Sequence, residues 1–464
     1  MVTVEKKIVW EPPFIQPHRM GEINKFGRVR RRDNYAENAF GVPVQELLEK
    51  FGSPLFVTSE RQIRTNIRHL RREFEGRYGN VVHGWSYKTN YTSAICNILH
   101  QEGSWAEVVS AFEYEKARAL GVPGDRIIFN GPNKPRHIIE RAIADGAHLH
   151  IDHLEELQLI DSVARAQDKV TKVALRLNFD TGYTEPWSRF GFNLESGQAR
   201  QAASMVAAST HLKLNGLHSH IGTFILEPKA YAAQVKIISK FMREVESSED
   251  VCIENIDIGG GFPSKNALQS VYLPPEQAVP PISEYAEAIC GTLIAETQYR
   301  RQLGRDLPRL IFESGRAVID DAQVLLTSVV GTKRLKDGKR AVVLDAGTNL
   351  LFTAYWYNHQ VQMTREADGP VADTILYGPL CMNIDVVRSS IQLPPLAQGD
   401  SLLISPVGAY NNTQWMQFIE YRPNVVLVHE DGVCSVIRAR EDLAVMMQQD
   451  RLPEHLAEPC TQRR

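Results

Sequence analysis

The sequence predicts an α/β protein in which a parallel (β/α)8 barrel is followed by a β-rich domain. Three observations support this prediction: strands alternate with helical segments between residues 60 and 313, polar residues stand at the strand ends, and strand–turn–strand patterns follow residue 318. Such alternation indicates parallel strands joined by helical crossovers, and eight units of this kind suggest a closed barrel.

Each barrel element has its own signal. The segment RQIRTNIRHLRREF has apolar residues at the helical period from Ile63 to Phe74, and Ser110 and Glu113 have capping-box spacing at the start of another helix. The eight predicted strands are VVHGW, WAEVV, RIIF, HLHI, KVALRL, LKLNGLH, NIDI and RLIF.

The domain boundaries are predicted near residues 50 and 318. Residues 1–50 are expected to pack with the β-rich domain, residues 51–318 to form the barrel, and residues 319–464 to form the β-rich domain. In that last part, AQVLLTSVVGTKRLKDGKRAVVLDAG predicts a strand, an Asp-Gly turn and a strand. The last dozen residues are expected to fray.

Composition excludes several classes of protein. The net charge of −3 argues against a nucleic-acid-binding surface, and the basic cluster Arg28, Arg30, Arg31 and Arg32 is interpreted as a solvated loop or a partner contact. There is no signal-peptide core, and no apolar run approaches the ~20 residues that span a bilayer, so a cytoplasmic location without membrane contact is expected. Six scattered cysteines without a CxxC pair indicate neither a disulfide framework nor a metal site.

Polar residues cluster at the predicted strand ends. In order they are Lys88, Glu107, Asn130, Asp152, Arg176, His220, Gly259 to Gly261, and Glu313 with Arg316. Barrel enzymes place their chemistry at the carboxyl ends of the strands, so these residues are expected to surround one site.

Two of these features suggest a cofactor. The glycines of IDIGGGFP allow backbone N–H groups to converge on an anion; the alternative is a tight turn, and the spacing does not fit a dinucleotide fingerprint. Lys88 is either a solvated charge or a desolvated amine whose lowered pKa suits Schiff-base chemistry. A phosphate site with such a lysine suggests pyridoxal phosphate (PLP), with Glu313 at the pyridine nitrogen and His220 against the ring. His220 could instead be a satisfied core histidine.

Ten stretches in order resemble the barrel-fold, PLP-dependent amino-acid decarboxylases, which include diaminopimelate, ornithine and arginine decarboxylases. The resemblance extends from about residue 51 to 430. The stretches are YKTN, AEVVSAFE, FNGPNKP, SRFGF, HSHIGT, DIGGGFP, FESGR, DAGTN, YGPLCMNID and VGAY. The resemblance implies release of CO₂ from an amino-acid-type substrate.

The resemblance also implies roles for single residues. Lys88 forms the Schiff base beside Glu107, His220 stacks on the ring, and Glu313 pairs with the pyridine nitrogen. The phosphate is held by Gly259, Gly260, Gly261, Thr223 and Arg316. Tyr410 contacts the cofactor. Substrate-binding residues would be Arg176, Arg316, Tyr357, Met382, Asp385 and Tyr410. Cys381 would come from a partner subunit to return a proton, which implies a homodimer with shared sites.

Two departures from the family concern the substrate. Thr353 stands where diaminopimelate decarboxylases have an arginine for the distal carboxylate, and Met382 stands where an acid binds the distal ammonium. A buried charge without a partner is disfavoured, so the expected substrate is not free diaminopimelate but a larger or acylated one, as in siderophore or antibiotic pathways. The alternative is a diaminopimelate decarboxylase whose distal contacts are rebuilt from residues such as Tyr357 or Asn383.

The sequence is also compatible with three kinds of protein that are not decarboxylases. An amino-acid racemase would use Lys88 and a tyrosine as opposed bases, but Cys381 argues against it. A non-catalytic PLP carrier would resemble the barrel alone, so the long β-rich domain counts against it. A barrel with a simple glycine turn and no cofactor is the least specific interpretation.

Overall fold

The structure, a computed structural model, describes residues 35–249, 251–269, 271, 273–366 and 369–457. The basic cluster at residues 28–32, Cys460 and residues 458–464 of the tail that was expected to fray lie outside these residues. Within the described part, no helix is long and apolar enough to cross a membrane. The five cysteines described there are free thiols.

The described N-terminal residues pack against the C-terminal sheet. Their elements are β1 (Asn38–Ala39), β2 (Val42–Pro43), α1 (Val44–Phe51) and β3 (Leu55–Ser59). Helix α1 buries Val44 and Leu47 against residues of that sheet. All five residues of β3 are buried, and they pair with strands near residues 325 and 426. Residues 55–59, placed with the barrel from sequence, therefore lie in the C-terminal sheet, because both of their partner strands belong to it.

A closed barrel of eight parallel strands forms the larger part of the molecule. This sheet contains β4 (Val81–Ser86), β5 (Trp105–Val108), β6 (Ile127–Phe129), β7 (His148–Ile151), β8 (Thr171–Asn178), β9 (Phe192–Asn193), β10 (Leu212–Ser219), β11 (Asn255–Asp257) and β12 (Arg309–Phe312), and all of them except β9 are barrel strands. Pairing of β12 with β4 and of β8 with β10 closes the barrel, and β9 is a short addition to β8. The predicted barrel and its eight strands are confirmed.

Helices cover the outside of this barrel. They are α2 (Glu60–Glu75), α3 (Ser93–Gln101), α4 (Ala111–Ala119), α5 (Arg136–Asp145), α6 (Leu154–Ala166), α7 (Gln198–Ala208), α8 (Pro228–Ser248), α9 (Pro275–Ala278), α10 (Ile282–Thr297), α11 (Tyr299–Gln302) and α12 (Arg316–Ile319). The periodic residues of α2 are buried as predicted. At the start of α4 the Ser110 hydroxyl accepts the Glu113 N–H, while the Glu113 carboxylate accepts the Val109 N–H.

The C-terminal part is a β-rich domain, as predicted. Its elements are β13 (Gln323–Arg334), β14 (Arg340–Leu344), β15 (Gln360–Met363), β16 (Ala372–Tyr377), β17 (Val386–Leu393), β18 (Ser401–Ser405), β19 (Asn424–Val428), β20 (Cys434–Arg438) and α13 (Leu443–Met447). The strand order is β17-β16-β14-β13-β3-β19-β20, with β18 joined to β13 and β15. The expected Asp-Gly turn joins β13 to β14, with Gly338 in the left-handed region.

Loops of the C-terminal domain lie over the carboxyl ends of the barrel strands. The Gly408 N–H donates to the carbonyl of Asp320 at 3.0 Å, directly after α12. Asn90, after β4, donates to the carbonyl of Gly408 at 3.2 Å. These contacts place residues from both domains around the barrel mouth.

Candidate active site

A cavity of about 670 Å³ opens at the carboxyl ends of the barrel strands. Most of the residues singled out from the sequence line it. They are Lys88, Glu107, Asn130, Arg176, His220, Thr223, Gly260, Gly261, Glu313, Arg316, Tyr357 and Tyr410. The two tyrosines come from the C-terminal domain, so both domains build the site. Asp152 and Gly259 do not line the cavity themselves, but each is close in sequence or space to a residue that does.

Lys88 follows β4 on a short 3-10 turn, Tyr87–Thr89. Its Nζ lies 3.1 Å from Oε2 of Glu107, and its side chain is 39% exposed. Glu107 on β5 is fully buried and also accepts hydrogen bonds from the Ser86 hydroxyl and from the Asn130 amide at 3.1 Å. The exposed part of the lysine side chain therefore faces the cavity that it lines.

The pKa of Lys88 is shifted in the direction opposite to the one expected. Burial lowers its pKa, but the carboxylates of Glu107 and Glu313 raise it more, and the net direction is upward. The predicted lowered pKa is wrong for the free amine. The lowered pKa was inferred from the apolar strand that Lys88 follows, without the charge of the Glu107 carboxylate that the resemblance places beside it.

The glycine turn is required by its surroundings. Gly259 and Gly261 have positive φ values of 66° and 96°. A Cβ at Gly260 would collide with the carbonyl oxygen of Glu313, and one at Gly261 with that of Gly222. The N–H groups of Gly259 and Gly260 donate to Asp257 and His220, each at 2.9 Å. In this structure the first two amides therefore hold the turn in place, and the phosphate-binding role of the three glycines stays a prediction.

Arg316 supplies a cation beside this turn. Its guanidinium lies 4.9 Å from the ring centroids of both Tyr357 and Tyr410. Its Nη1 is buried and has no hydrogen-bond partner among the described residues. Thr223 lines the cavity with an exposed side chain. A guanidinium with an unused donor next to a glycine turn is a suitable cradle for a phosphate group.

Glu313 and His220 face each other across the turn. Glu313 is 5% exposed, and its Oε1 accepts a short hydrogen bond from the Asn130 amide. Burial, and then the charge of Lys88, lower the pKa of His220 well below its ordinary value. A neutral imidazole is suited to packing flat against an aromatic ligand. Trp187 flanks it with ring centroids 5.1 Å apart.

Arg176 projects from β8 into the same cavity. Its guanidinium lies 4.4 Å from the Phe190 ring centroid, and its Nη1 lies 3.7 Å from Oδ1 of Asp152. Asp152, one of the predicted strand-end residues, therefore orients Arg176 from behind.

The segment with Cys381 is not part of this cavity in the single chain. Cys381 is exposed and Met382 is half-buried. Asp385 is 2% exposed, and its carboxylate accepts the Thr348 N–H at 2.7 Å and the Leu380 N–H at 2.8 Å. Both of its oxygens hold the loop in this chain, and the expected substrate contact of Asp385 stays a prediction. That a partner subunit supplies Cys381 stays a prediction.

Thr353 lines the cavity but its hydroxyl is already engaged. It donates to Oδ1 of Asn411 at 2.8 Å and lies 2.9 Å from Nε2 of His359. Further lining residues were not singled out from sequence: Trp187, Arg189, Phe224, Leu268, Trp356 and Gln414. Arg189 belongs to the SRFGF stretch, and this motif could have identified it as a site residue. Leu268 and Gln414 lie in irregular loops where no sequence motif points to them.

An amine that can take up an aldehyde, a cradle for phosphate and an acid for a pyridine nitrogen occur together in PLP-dependent enzymes, and the side chains around this cavity fit that cofactor. Residues 60–320 match the pyridoxal-binding domain of the pyridoxal-dependent decarboxylases, and residues 316–408 match their C-terminal sheet domain. The chain belongs to this family. It is a PLP-dependent carboxy-lyase, which favours decarboxylation over the racemase alternative.

Known decarboxylases resemble the whole chain. The diaminopimelate decarboxylase of Methanocaldococcus jannaschii is 31% identical over 435 residues, covering 90% of this chain and 95% of that protein. The diaminopimelate decarboxylase of Methanothermobacter thermautotrophicus is 30% identical over 431 residues, covering 90% of this chain and 96% of that protein. A crystal structure of the M. jannaschii enzyme has a TM-score of 0.81 at 29% identity, covering 90% of this chain and 96% of the other. All three are named as diaminopimelate decarboxylases.

Proposed function

We propose that this enzyme removes the α-carboxyl group of an amino acid, and that diaminopimelate is the first candidate substrate. The main support is the convergence of Lys88, Glu313 and Arg316 on one cavity. The names of relatives at about 30% identity support the substrate. The volume of about 670 Å³ leaves space for a substrate beside the cofactor.

Each side chain has a task in this proposal. PLP, when bound, supplies an electron sink for the electrons left at Cα. Lys88 holds the cofactor covalently while Glu107 orients the amine. Arg316 and Thr223 hold the phosphate. Glu313 accepts a hydrogen bond at the ring nitrogen, and His220 holds the ring flat. Arg176 and the aromatic wall of Phe224, Trp356 and Tyr357 restrict water, which strengthens the electrostatic contacts inside.

The substrate is tested by CO₂ release from diaminopimelate, lysine, ornithine and arginine by the purified full-length enzyme. Diaminopimelate should give the highest kcat/KM. Lys88→Ala should remove the visible absorbance of the Schiff base and lower kcat by about 10³-fold or more. Lys240→Ala, on the exposed face of α8, is the control and should be unchanged. No CO₂ from any of the four amino acids would contradict the proposed substrate class.

A second candidate is an amino acid whose distal end is acylated or otherwise neutral. The supporting observation is that the Thr353 hydroxyl is occupied by Asn411 and His359, so this position offers no charge to a distal carboxylate. The same assay separates the two candidates. A kcat/KM for an N-acylated diamino acid about tenfold above that for diaminopimelate would favour the second.

We also propose that the enzyme works as a homodimer with shared sites, because exposed Cys381 lies outside the single-chain cavity. Subunits carrying Lys88→Ala and Cys381→Ala can be mixed after partial unfolding. If each site needs Lys88 from one chain and Cys381 from the other, about a quarter of wild-type activity should return by statistical pairing. Activity that stays at the level of the separate variants would contradict sharing.

A further inference from the structure

Four buried ionisable side chains lie together at the edge of the cavity, on neighbouring barrel strands. His150 comes from β7, His218 from β10 and Asp257 from β11, while Glu313 follows β12. Their imidazole nitrogens and carboxylate oxygens all lie within 4.8 Å of one another, and all four residues are buried. Glu313 and His218 line the cavity, whereas His150 and Asp257 are behind them.

Several polar atoms of this four-residue group have no hydrogen-bond partner in the part of the chain that the structure describes. They are Nδ1 of His150, both ring nitrogens of His218 and Oδ2 of Asp257. Each histidine also approaches an acid of the group: His150 Nδ1 lies 4.0 Å from Asp257 Oδ2, and His218 Nε2 lies 3.6 Å from Glu313 Oε2. Buried polar atoms are rarely left unpaired, so these atoms point to a functional role.

The charge of the group follows from its burial. Burial lowers the pKa of both His150 and His218 well below the ordinary value, so both rings are neutral. The imidazoles of His148 and His220, which interact electrostatically with His150 and His218 respectively, also have pKa values lowered by burial. Each neighbouring cation forms an ion pair with a carboxylate outside the group. The pairs are Lys88 with Glu107 at 3.1 Å, Lys134 with Glu156 at 2.6 Å, and Arg176 with Asp152 at 3.7 Å.

Each of these described cations is already close to a carboxylate outside the four-residue group. None of them is therefore left to neutralise a second negative charge within the group. Two carboxylates sharing a buried site do not both ionise at neutral pH, since each charge opposes the other. One of the two acids, Asp257 or Glu313, therefore keeps a proton.

The contacts assign the proton to Asp257. Burial, and then Glu313, raise the pKa of Asp257 well above its ordinary value. Its Oδ1 accepts the Gly259 N–H, which leaves Oδ2 to carry a proton. Glu313 instead receives the Asn130 amide and borders the cavity, where an anion can meet a cationic ligand.

We propose that Asp257 is a positioning residue that holds a proton at neutral pH, so that Glu313 is the only negative charge of the group and faces the pyridine nitrogen of PLP. This inference rests on the proposed function, since it assigns a task toward the same cofactor. His150 and His218 are the neutral neighbours of the two acids.

The first test is infrared spectroscopy of the full-length protein carrying Glu113→Gln, with PLP and after its removal, because Glu113 is another buried acid whose pKa is raised, to about 7. In this background a carbonyl stretch of a buried carboxylic acid should be present in both states and lost when Asp257→Asn is added. Labelling the aspartate carboxyls of the Glu113→Gln protein with ¹³C gives the same assignment without a substitution at Asp257. The band should shift with labelled aspartate and stay in place with labelled glutamate. A band that shifts only with glutamate, or no such band, would overturn the proposal.

The second test is the dissociation constant of PLP. Asp257→Asn mimics the protonated acid, so binding should stay within about threefold of wild type. Glu313→Gln removes a charge-assisted hydrogen bond and should weaken binding by about 10- to 100-fold. Equal weakening by both variants would contradict the assignment. So would a stoichiometric metal ion in the purified protein, since a metal would require both acids to be ionised.

The two proposals can fail separately. A wild-type protein that does not bind PLP contradicts the proposed function whatever the infrared spectrum shows. A missing aspartic-acid band contradicts this inference even when CO₂ release is normal.

Discussion

The backbone N–H of Tyr410 donates a hydrogen bond of 2.8 Å to the carbonyl oxygen of Thr89, one residue after the cavity lysine. Tyr410 belongs to the C-terminal domain and Thr89 to the barrel. The Thr413 hydroxyl adds a bond of 2.7 Å to the carbonyl oxygen of Lys88 itself. The position of the reactive amine thus depends on a loop of the other domain.

We expect Thr413→Val to impair the site more than the fold. Removing one hydrogen bond costs about 0.5–1.5 kcal/mol, which corresponds to roughly a 2- to 12-fold weaker PLP affinity if the loss falls on the position of Lys88. Fluorescence titration with PLP measures it. Thr364→Val is the matched control, since the Thr364 hydroxyl bonds to the carbonyl of Ser401 at 3.2 Å, outside the cavity lining. Equal loss of PLP affinity in both variants would show that Thr413 has no special role.

Gly260→Ala should weaken PLP binding by at least about tenfold. The added Cβ would collide with the carbonyl oxygen of Glu313, so either the glycine turn or the acid must move. Gly331→Ala in β13 is the control, because a Cβ there meets no described atom within 4 Å and Gly331 has no left-handed φ. The dissociation constant of PLP and the thermal midpoint of each variant should be measured together. Unchanged PLP binding in Gly260→Ala would show that the turn does not define the phosphate cradle.

Glu107→Gln should make Lys88 capture PLP faster at neutral pH. The carboxylate of Glu107 raises the pKa of Lys88, and only the neutral amine attacks an aldehyde. The capture rate therefore rises with pH in wild type, and removing the carboxylate moves this rise to lower pH. Stopped-flow absorbance at several pH values records the profile. An unchanged profile would mean that another group sets the charge of Lys88.

Glu113→Gln should stabilise the protein at pH 8 more than at pH 5.5. Burial raises the pKa of Glu113 to about 7, from a usual value of 4.5. An acid with a raised pKa binds its proton more tightly when folded, so stability is greatest below the unfolded pKa and falls as pH rises toward about 7. Glutamine keeps the acceptor for the Val109 N–H. The advantage of the variant should grow by on the order of 2 kcal/mol between the two pH values.

Thermal midpoints at the two pH values check this prediction. Glu115→Gln, on the exposed side of the same helix, should behave like wild type at both. A Glu113→Gln midpoint that tracks wild type at both pH values would contradict the prediction.

The sequence predicted the features that local residue patterns determine, namely the barrel strands and the polar residues at their ends. All eight barrel strands were found because each is a short apolar run bounded by a helix, and the strand ends pointed to Lys88, Glu313 and Arg316. The family resemblance added Tyr410, whose place over the barrel mouth no periodicity reveals. The predictions that were wrong depend on interactions between distant segments. Residues 55–59 were placed with the barrel because their strand partners lie near residues 325 and 426. The pKa direction of Lys88 was misjudged because the apolar strand before it was given more weight than the carboxylates of Glu107 and Glu313.

Strand β3 has a consequence for the order in which the chain is made. Phe56 pairs with Leu325, about 270 residues later. At translation rates of about 5–20 residues per second, β3 leaves the ribosome roughly 13–55 s before its first partner exists. Through that interval the apolar residues Leu55, Phe56 and Val57, with open backbone groups, have no partner strand to cover them.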